Sequence, residues 1–103
     1  VRNVIIPLES KNCKHVYHLF TIRHKHAKKI DKYLKKKGIQ SRVIYQYPIH
    51  KMKAFKHYKF NSTKLKNTEK ISKQMLCLPL YPELKSSEVI KISNIIKNIL
   101  HKF

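Results

Sequence analysis

A single glycine, Gly38, occurs among the 103 residues, and this scarcity limits the sites that the chain can build. A Walker-type phosphate loop, a GxGxxG dinucleotide fingerprint and a nucleophile elbow each need at least two glycines where the backbone turns tightly or approaches phosphate. The sequence therefore excludes all three. Gly38 itself follows a lysine-rich amphipathic segment, where it suits the left-handed residue that ends a helix.

The first half of the chain has the pattern of an α/β unit. Residues 15–22 are aromatic and β-branched on both faces, which predicts a buried central strand. From about His24 the apolar period becomes helical and predicts an amphipathic helix of about 13 residues. Its apolar positions are Ala27, Ile30, Tyr33 and Leu34. Residues 40–45 then predict a second strand, so the order is strand, helix, strand.

The second half predicts two more helices. A short helix or turn is expected at 51–57 and a polar loop at 61–67. Asn67 or Thr68 would then cap a helix that has Glu69 in its first turn and stops before Pro79. The apolar stripe of that helix is Ile71, Met75 and Leu76. Ser86 or Ser87 would cap a last helix, whose stripe is Val89, Ile92, Ile96, Ile99, Leu100 and Phe103. The predicted order is β-α-β-α-(short β)-α, a small sheet covered by helices in a single domain over 1–103.

The charge is strongly basic, with 24 lysines and arginines against 5 carboxylates and a formal net charge of +19. Such a balance invites a nucleic-acid interpretation, because clustered cations release counterions from phosphates. Only Arg2, Arg23 and Arg42 carry the bidentate guanidinium that base and phosphate recognition favours. A coding bias toward lysine, isoleucine and asparagine, spread over a solvated surface, is the explanation of the charge that we favour.

The apolar runs are short, so no transmembrane span or signal-peptide core is predicted. Cys13 and Cys77 are far apart in no CxxC pattern, which favours two reduced thiols and a cytoplasmic protein. The histidines lack a second pair at metal-ligand spacing, and Cys77 precedes what resembles packed core. The five carboxylates are scattered, and all but Glu9 fit helix caps, first turns or loops. No catalytic residue and no metal site is therefore predicted in this chain.

The strongest local pattern is the segment 38–50, where a predicted strand runs into a turn that contains Pro48. Tyr45, Tyr47 and His50 lie at the exit of the strand, and Arg42 precedes them. Hydroxyls, an imidazole and a guanidinium in such a place suit a polar ligand such as a phosphorylated sugar. Ordinary tyrosines in a half-buried turn are the alternative.

Four segments in this order resemble one family. They are His15-Val16-Tyr17-His18-Leu19-Phe20, then Tyr33 to Ile39, then Tyr45 through Pro48-Ile49-His50, and finally Leu76 to Leu84. Together they are similar to the C-terminal domain of the DegT/DnrJ/EryC1/StrS sugar aminotransferases, over about residues 14–100. This chain departs from the family pattern at Ile44-Tyr45-Gln46, where many members have His-Tyr-Pro. It departs again at Met52-Lys53, where many members have Gln-Pro.

The resemblance implies the small domain of a type I aminotransferase. A large domain outside this chain would bind pyridoxal phosphate through a lysine, and a homodimer would build the active sites. The implied reaction moves an amino group from glutamate to a keto group of a nucleotide-linked sugar in amino-sugar and cell-surface polysaccharide biosynthesis. Tyr45 and His50 match family positions near the sugar nucleotide, and Arg42 and Tyr47 are secondary candidates. The chain alone would be inactive and would hold no cofactor.

A small basic nucleic-acid-binding protein is the alternative from another class. Its best support is the interleaving of aromatic residues with lysines at Phe55, Tyr58 and Phe60, since bases stack on such rings. These rings follow no recognisable strand pattern. We therefore expect no specific nucleic-acid partner and no membrane partner.

Overall fold

The architecture is described from a computed structural model, which describes residues 3–59 and 62–102. Within these ranges the helices and strands are β1 (Phe20–Arg23), α1 (Ala27–Lys36), α2 (Lys66–Ser72), β2 (Met75–Leu78) and α3 (Ser86–Leu100). Three 3₁₀ turns precede α2, at Ile49–Lys51, Lys53–Phe55 and Ser62–Leu65. The predicted fold class, a small sheet covered by helices, is confirmed.

The sheet is antiparallel and small. β1 pairs with β2 so that Ile22 lies opposite Leu76 and Thr21 lies opposite Cys77. Two single-residue bridges widen it, Ile5 to Arg23 beyond β1 and Arg42 to Cys77 beyond β2. The backbone of Arg42 both donates to and accepts from Cys77, at 3.0 and 2.8 Å. The chain that follows α1 is therefore fixed to the sheet at one residue.

The core lies between the sheet and two of the helices. Ile22 and Leu76 form its floor, and α1 and α3 pack against each other above it. The buried helical side chains recur at helical spacing, as Ala27, Ile30 and Leu34 on α1 and Ile92, Ile96 and Ile99 on α3. The predicted α1 stripe is confirmed. On α3, Val89 is 46% exposed, Leu100 is half-buried and Phe103 lies outside the described residues.

Gly38 ends α1 as the sequence predicted. It has φ of +74°, its N–H donates to the carbonyl of Lys35, and the N–H of Ile39 donates to the carbonyl of Leu34. This pair of bonds is a Schellman motif, which glycine favours because it has no Cβ to clash in the left-handed region. Ile39 then packs against the core cluster that contains Leu34.

The predicted strand over 15–22 is wrong in its first half, because β1 begins only at Phe20. Tyr17 has φ of +46°, which no extended strand accommodates, and its N–H donates to Nδ1 of His15 instead of to a neighbouring strand. Val16 is consequently 85% exposed. The aromatic side chains of this segment stack on each other instead, and the ring centroids of His15 and Tyr17 lie 4.2 Å apart.

The second predicted strand, over 40–45, reduces to the bridge at Arg42. Ser41 is 2% exposed and donates its hydroxyl to Asp31 at 2.6 Å, which ties this segment to α1. Tyr45 has φ of +54° and turns the chain away from the sheet. The bridge is antiparallel to β2. Because Cys77 of β2 pairs with Thr21 on one side and with Arg42 on the other, β2 lies between β1 and Arg42.

The boundaries around α2 also differ from the prediction. Residues 62–67, expected as loop, form a 3₁₀ turn and the start of α2, and Asn61 lies outside the described residues. The helix ends at Ser72, and the two apolar residues assigned to its stripe, Met75 and Leu76, belong to β2. Periodicity could not separate a short helix from the short apolar strand that follows it.

The predicted helix caps are wrong. The residue before α2 is Leu65 rather than Asn67 or Thr68, and the residue before α3 is Lys85 rather than a serine. The Glu88 side chain accepts a hydrogen bond from the Lys85 backbone N–H at 2.9 Å. A carboxylate in the first turn of α3 therefore satisfies a backbone donor at the start of the helix.

Candidate functional site

The candidate site is the loop from Arg42 to His50, which is anchored at both ends. The antiparallel bridge to Cys77 fixes Arg42, and the 3₁₀ turn Ile49–Lys51 begins directly after Pro48. Between these anchors the left-handed Tyr45 projects from the domain with 73% of its surface exposed, and Tyr47 is 61% exposed. Large aromatic rings this exposed are typical of surfaces that contact a ligand or another polypeptide.

His50 is held by a carboxylate 19 residues further along the chain. Its Nε2 lies 2.9 Å from Oε1 of Glu69, and Lys51 Nζ lies 3.3 Å from the same oxygen. The hydrogen bond from His50, with the contacts from Lys51, holds the pKa of the Glu69 carboxyl below its usual value despite partial desolvation. An ionised carboxylate only accepts, so His50 Nε2 carries the proton and donates it. The pair fixes both the tautomer and the orientation of the imidazole.

Arg42 lines a groove of about 570 Å³ at the edge of the sheet. Lys37 and Lys91 line the same groove as cations, Glu88 contributes a carboxylate, and Tyr81 contributes a phenol. Its floor is Cys77, whose thiol lies 3.1 Å from the Thr21 hydroxyl. This groove can accept a polar, negatively charged group beside an apolar one.

The four residues predicted to bind substrate are thus not gathered in one pocket. Arg42 lines the groove, whereas Tyr45, Tyr47 and His50, all within the described ranges, lie outside its wall. Tyr47 accepts a hydrogen bond from Gln46 at 3.0 Å, and the His50 ring is directed at Glu69. Their role in substrate binding stays a prediction.

Glu69, the partner of His50, is the residue of the candidate site that the sequence did not indicate. It was predicted only as a favourable charge in the first turn of a helix, and it does occupy the first turn of α2. Its contact with His50 joins two segments that no local pattern relates. The chain has five carboxylates among 24 lysines and arginines, and this scarcity was the available sign that Glu69 could have a specific partner.

A second, apolar groove of about 340 Å³ lies on the other side of Leu78 and Pro79. Its wall contains Ile6, Phe20, Val89 and other apolar side chains. Ile5, Ile6, Leu80 and Val89 are all between 46% and 53% exposed. An exposed apolar surface of this kind is typical of a place where a ligand or another polypeptide packs.

Other chemistry has little support among residues 3–59 and 62–102. Within them no group of three or more histidine, cysteine or carboxylate side chains comes together as a metal site. Cys13 is exposed and Cys77 is buried, and both are free thiols. No helix of this part of the chain is long and apolar enough to span a bilayer. Phe55 and Tyr58 form a tilted ring pair at 6.1 Å, and Phe60 lies outside the described residues.

Comparisons with known proteins agree on one family. Residues 1–97 match the sequence profile of the DegT/DnrJ/EryC1/StrS aminotransferase family. A protein of Geobacillus stearothermophilus named "Pleiotropic regulatory protein" is 34% identical over 85 residues, which cover 82% of this chain and 23% of that protein. The UDP-N-acetyl-3-dehydro-α-D-glucosamine 3-aminotransferase of Acidithiobacillus ferrooxidans is 32% identical over 84% of this chain and 23% of its own length.

A solved structure gives the same answer. The crystal structure of a DegT/DnrJ/EryC1/StrS aminotransferase from Brucella abortus superposes with a TM-score of 0.85 at 25% identity, covering 93% of this chain and 26% of that one. The chain spans about a quarter of the length of the relatives that it matches. By sequence profile, by identity and by fold, the chain belongs to the DegT/DnrJ/EryC1/StrS aminotransferase family.

Proposed function

We propose that this chain is the small C-terminal domain of a pyridoxal-phosphate-dependent sugar-nucleotide aminotransferase. The intact enzyme would move an amino group from glutamate to a keto group of a nucleotide-linked sugar, in amino-sugar and cell-surface polysaccharide biosynthesis. The observation that carries this is the match over residues 1–97 to a family whose relatives include aminotransferases of UDP- and dTDP-linked sugars. We further propose a cytoplasmic homodimer, as the family resemblance implies.

The lysines of this chain do not fit the cofactor. A lysine that binds pyridoxal phosphate covalently reacts as the neutral amine, which burial or a neighbouring cation favours. All 21 lysines of the chain lie on the exposed surface. We therefore place the cofactor lysine in the large domain. The cofactor supplies the electron sink of the reaction, and this domain contributes binding and orientation.

The exposed apolar surface supports the proposal that further polypeptide covers this domain. The groove beside Leu78 and Pro79 is lined almost entirely by apolar side chains. The loop side adds Tyr45, Tyr47 and Ile49, each more than 60% exposed. We propose that the large domain and the partner subunit of the dimer cover these surfaces and bring the loop to the substrate.

Within that assembly the four predicted residues would act on the sugar nucleotide. Arg42 would neutralise phosphate charge, because a guanidinium matches phosphate oxygens with two parallel hydrogen bonds. The phenols of Tyr45 and Tyr47 would bind sugar hydroxyls. His50, oriented by Glu69 at 2.9 Å, would present a fixed imidazole edge to the ligand.

A chimera tests the proposed function. Residues 1–97 of this chain would replace the matching segment of the Acidithiobacillus ferrooxidans enzyme, and glutamate-dependent amination of its UDP-linked keto sugar would be measured. We expect turnover, with Tyr45→Phe lowering kcat/KM about fivefold through loss of one hydrogen bond. Tyr58→Phe, an exposed tyrosine further along the same segment, is the matched control and should leave the rate unchanged. A folded chimera that binds pyridoxal phosphate yet transfers no amino group would refute the proposal.

A further inference from the structure

His24 is a buried ionisable residue that takes no part in the candidate site. It lies between β1 and α1, and its exposed fraction is 6%. Its backbone N–H donates to the carbonyl of Gln74 at 3.0 Å, directly before β2. Its carbonyl accepts a hydrogen bond from the N–H of Ala27 at 3.1 Å, where α1 begins. His24 therefore lies at the corner where the sheet meets α1.

The imidazole of His24 acts as a hydrogen-bond acceptor. Its Nδ1 accepts from the backbone N–H of His26 at 3.1 Å. A neutral imidazole can accept at this nitrogen, whereas the protonated ring carries a donor on both nitrogens. Protonation would therefore set two donors against each other and break this hydrogen bond. The fold requires His24 in its neutral form.

The surroundings of the ring also disfavour a positive charge. Burial, and after it the charges of His26 and Lys25, hold the pKa of His24 below its ordinary value of 6.5. The centroids of the two histidine rings lie 5.5 Å apart. The pKa of His26 is itself lowered by desolvation and by the charges of Lys29 and Lys25. A proton on His24 would thus enter a region in which positive charge is already concentrated.

The elements on the other side of this corner add further cations. Arg23, the last residue of β1, donates its guanidinium to the side chain of Gln74 at 3.3 Å. Lys73 follows α2 and lines one cleft together with Lys25 and Gln74. The corner is therefore cationic on the side of β2 and α2 as well.

Two carboxylates occur in the four elements that meet here, β1, β2, α1 and α2, all of them within the described residues. Asp31 of α1 accepts hydrogen bonds from Lys35 and Ser41, at 2.7 and 2.6 Å. Glu69 of α2 already accepts a hydrogen bond in the candidate site. Neither carboxylate of these four elements is left to compensate a proton on His24.

We propose that His24 is a proton sensor of this domain: its protonation breaks the hydrogen bond to His26 and loosens the start of α1 from the sheet. The loosened part is the first turn of α1, in which Ala27 is buried in the core. α1 leads through the Gly38 turn to Arg42, so a looser start of the helix would weaken the support of the candidate loop. The proposal does not rest on the proposed function, because His24 and its contacts lie within this chain.

The sign of the pH effect follows from the direction of the shift in pKa. Since the folded chain holds the pKa of His24 below 6.5, the unfolded chain takes up the proton first as the pH falls. The stabilisation by neutral His24 is therefore complete above pH 6.5 and is lost as the pH falls through the lower pKa of the folded state. The corresponding window of Glu69 begins only near 4.5, so the two effects are distinguishable.

Thermal unfolding of the 103-residue chain between about pH 5 and 8 tests the proposal, with His24→Asn as the variant. The side-chain oxygen of asparagine can accept the same N–H two residues along the chain, but asparagine does not titrate. We expect the unfolding midpoint of the parent to fall by at least about 3 °C more than that of the variant over this range.

His15→Asn is the matched control. Nδ1 of His15 accepts from the N–H of Tyr17 at 2.8 Å, which is the same kind of bond to the second residue along the chain, but His15 is exposed. Its replacement should leave the pH profile of the parent unchanged. Parallel profiles of the parent and His24→Asn would overturn the proposal, and so would equal effects of the two substitutions.

Amide exchange of the unmodified chain, followed by NMR, gives a second readout that needs no variant. As the His24 ring titrates, the protection of the His26 and Ala27 amides should fall by at least about threefold relative to the amides of α3. Protection that stays constant at both amides while His24 becomes protonated would contradict the proposal. Neither measurement reads amino transfer, so a failure here leaves the chimera result untouched.

Discussion

Individual side chains in this domain have sharply different roles despite similar chemistry. Ile30 is 0% exposed beneath α3, whereas Ile90, also a helical isoleucine, is 60% exposed. Glu69 contacts His50 and Lys51, whereas no hydrogen bond or ion pair is found for the exposed Glu83 within the described residues. Position in the fold, rather than residue type, decides what each contributes to stability.

Ile30→Ala should lower the free energy of unfolding by about 2–5 kcal/mol, because it leaves a cavity in the buried cluster that holds the sheet and the helices together. Ile90→Ala should change it by less than about 0.5 kcal/mol, as expected for a surface position. Urea unfolding followed by circular dichroism measures both. Equal effects of the two substitutions would show that α1 does not pack as described.

The lowered pKa of Glu69 gives a pH dependence with a definite sign. Near the ordinary value of 4.5 the unfolded chain binds a proton that the folded domain does not. The stabilisation is therefore complete above that value and is lost as pH falls through the lower pKa of the folded state. Glu69→Gln should flatten the acid side of the stability curve.

Glu83→Gln removes an exposed carboxylate and serves as the control for that curve. It should leave the shape of the acid side unchanged. Unfolding midpoints between about pH 3 and 6 measure both variants. If Glu69→Gln and Glu83→Gln gave the same profile, the His50–Glu69 contact would contribute nothing to the folded state in solution.

At the scale of secondary structure, α1 and its glycine turn form the best-defined unit. The helix buries one stripe, ends in a Schellman motif and is tied to the next segment by the Ser41–Asp31 hydrogen bond. Asp31 also accepts from Lys35 at 2.7 Å on the same helix. These contacts place Arg42 at the edge of the sheet, where the candidate loop begins.

Gly38→Ala should destabilise the domain by about 1 kcal/mol, because alanine is strained at φ of +74°. Beyond its chain neighbours, a Cβ at this position meets no atom within 4 Å, so the cost comes from the local backbone conformation and not from a clash with the rest of the domain. Gly38→Asn should cost less, since asparagine tolerates the left-handed region. Thermal unfolding midpoints rank the parent and the two variants. An alanine variant as stable as the parent would contradict the positive φ at Gly38.

The sequence predicted α1, its stripe, its glycine end and the core face of α3, because each has a local period or a local turn requirement. It could not predict that Tyr17 and Tyr45 take positive φ, since both occur in segments with strand-forming composition. It predicted a short strand between the last two helices but not its bounds, because the four residues of β2 pair with β1 more than 50 positions away. In the candidate site, the turn at Pro48 follows from the sequence, whereas Arg42 and Tyr45 were expected in a strand. The His50–Glu69 contact is non-local, so no local pattern could indicate it.

The whole molecule combines a small core with surfaces that suit other partners. Its net charge of +19 is spread over exposed lysines, and apolar rings and aliphatic side chains remain uncovered on the loop and beside Leu78. The chain covers about a quarter of each relative, which agrees with a domain that packs against further polypeptide. The central claim is that the reactive lysine of the intact enzyme lies outside these 103 residues.

Peptide mapping after borohydride reduction tests that claim most directly. The chain is mixed with one equivalent of pyridoxal phosphate, reduced and digested, and the label on each lysine is quantified by mass spectrometry. The account predicts label scattered over many surface lysines, with each one far below one equivalent, because none is buried. A single lysine that carries close to one equivalent would contradict it.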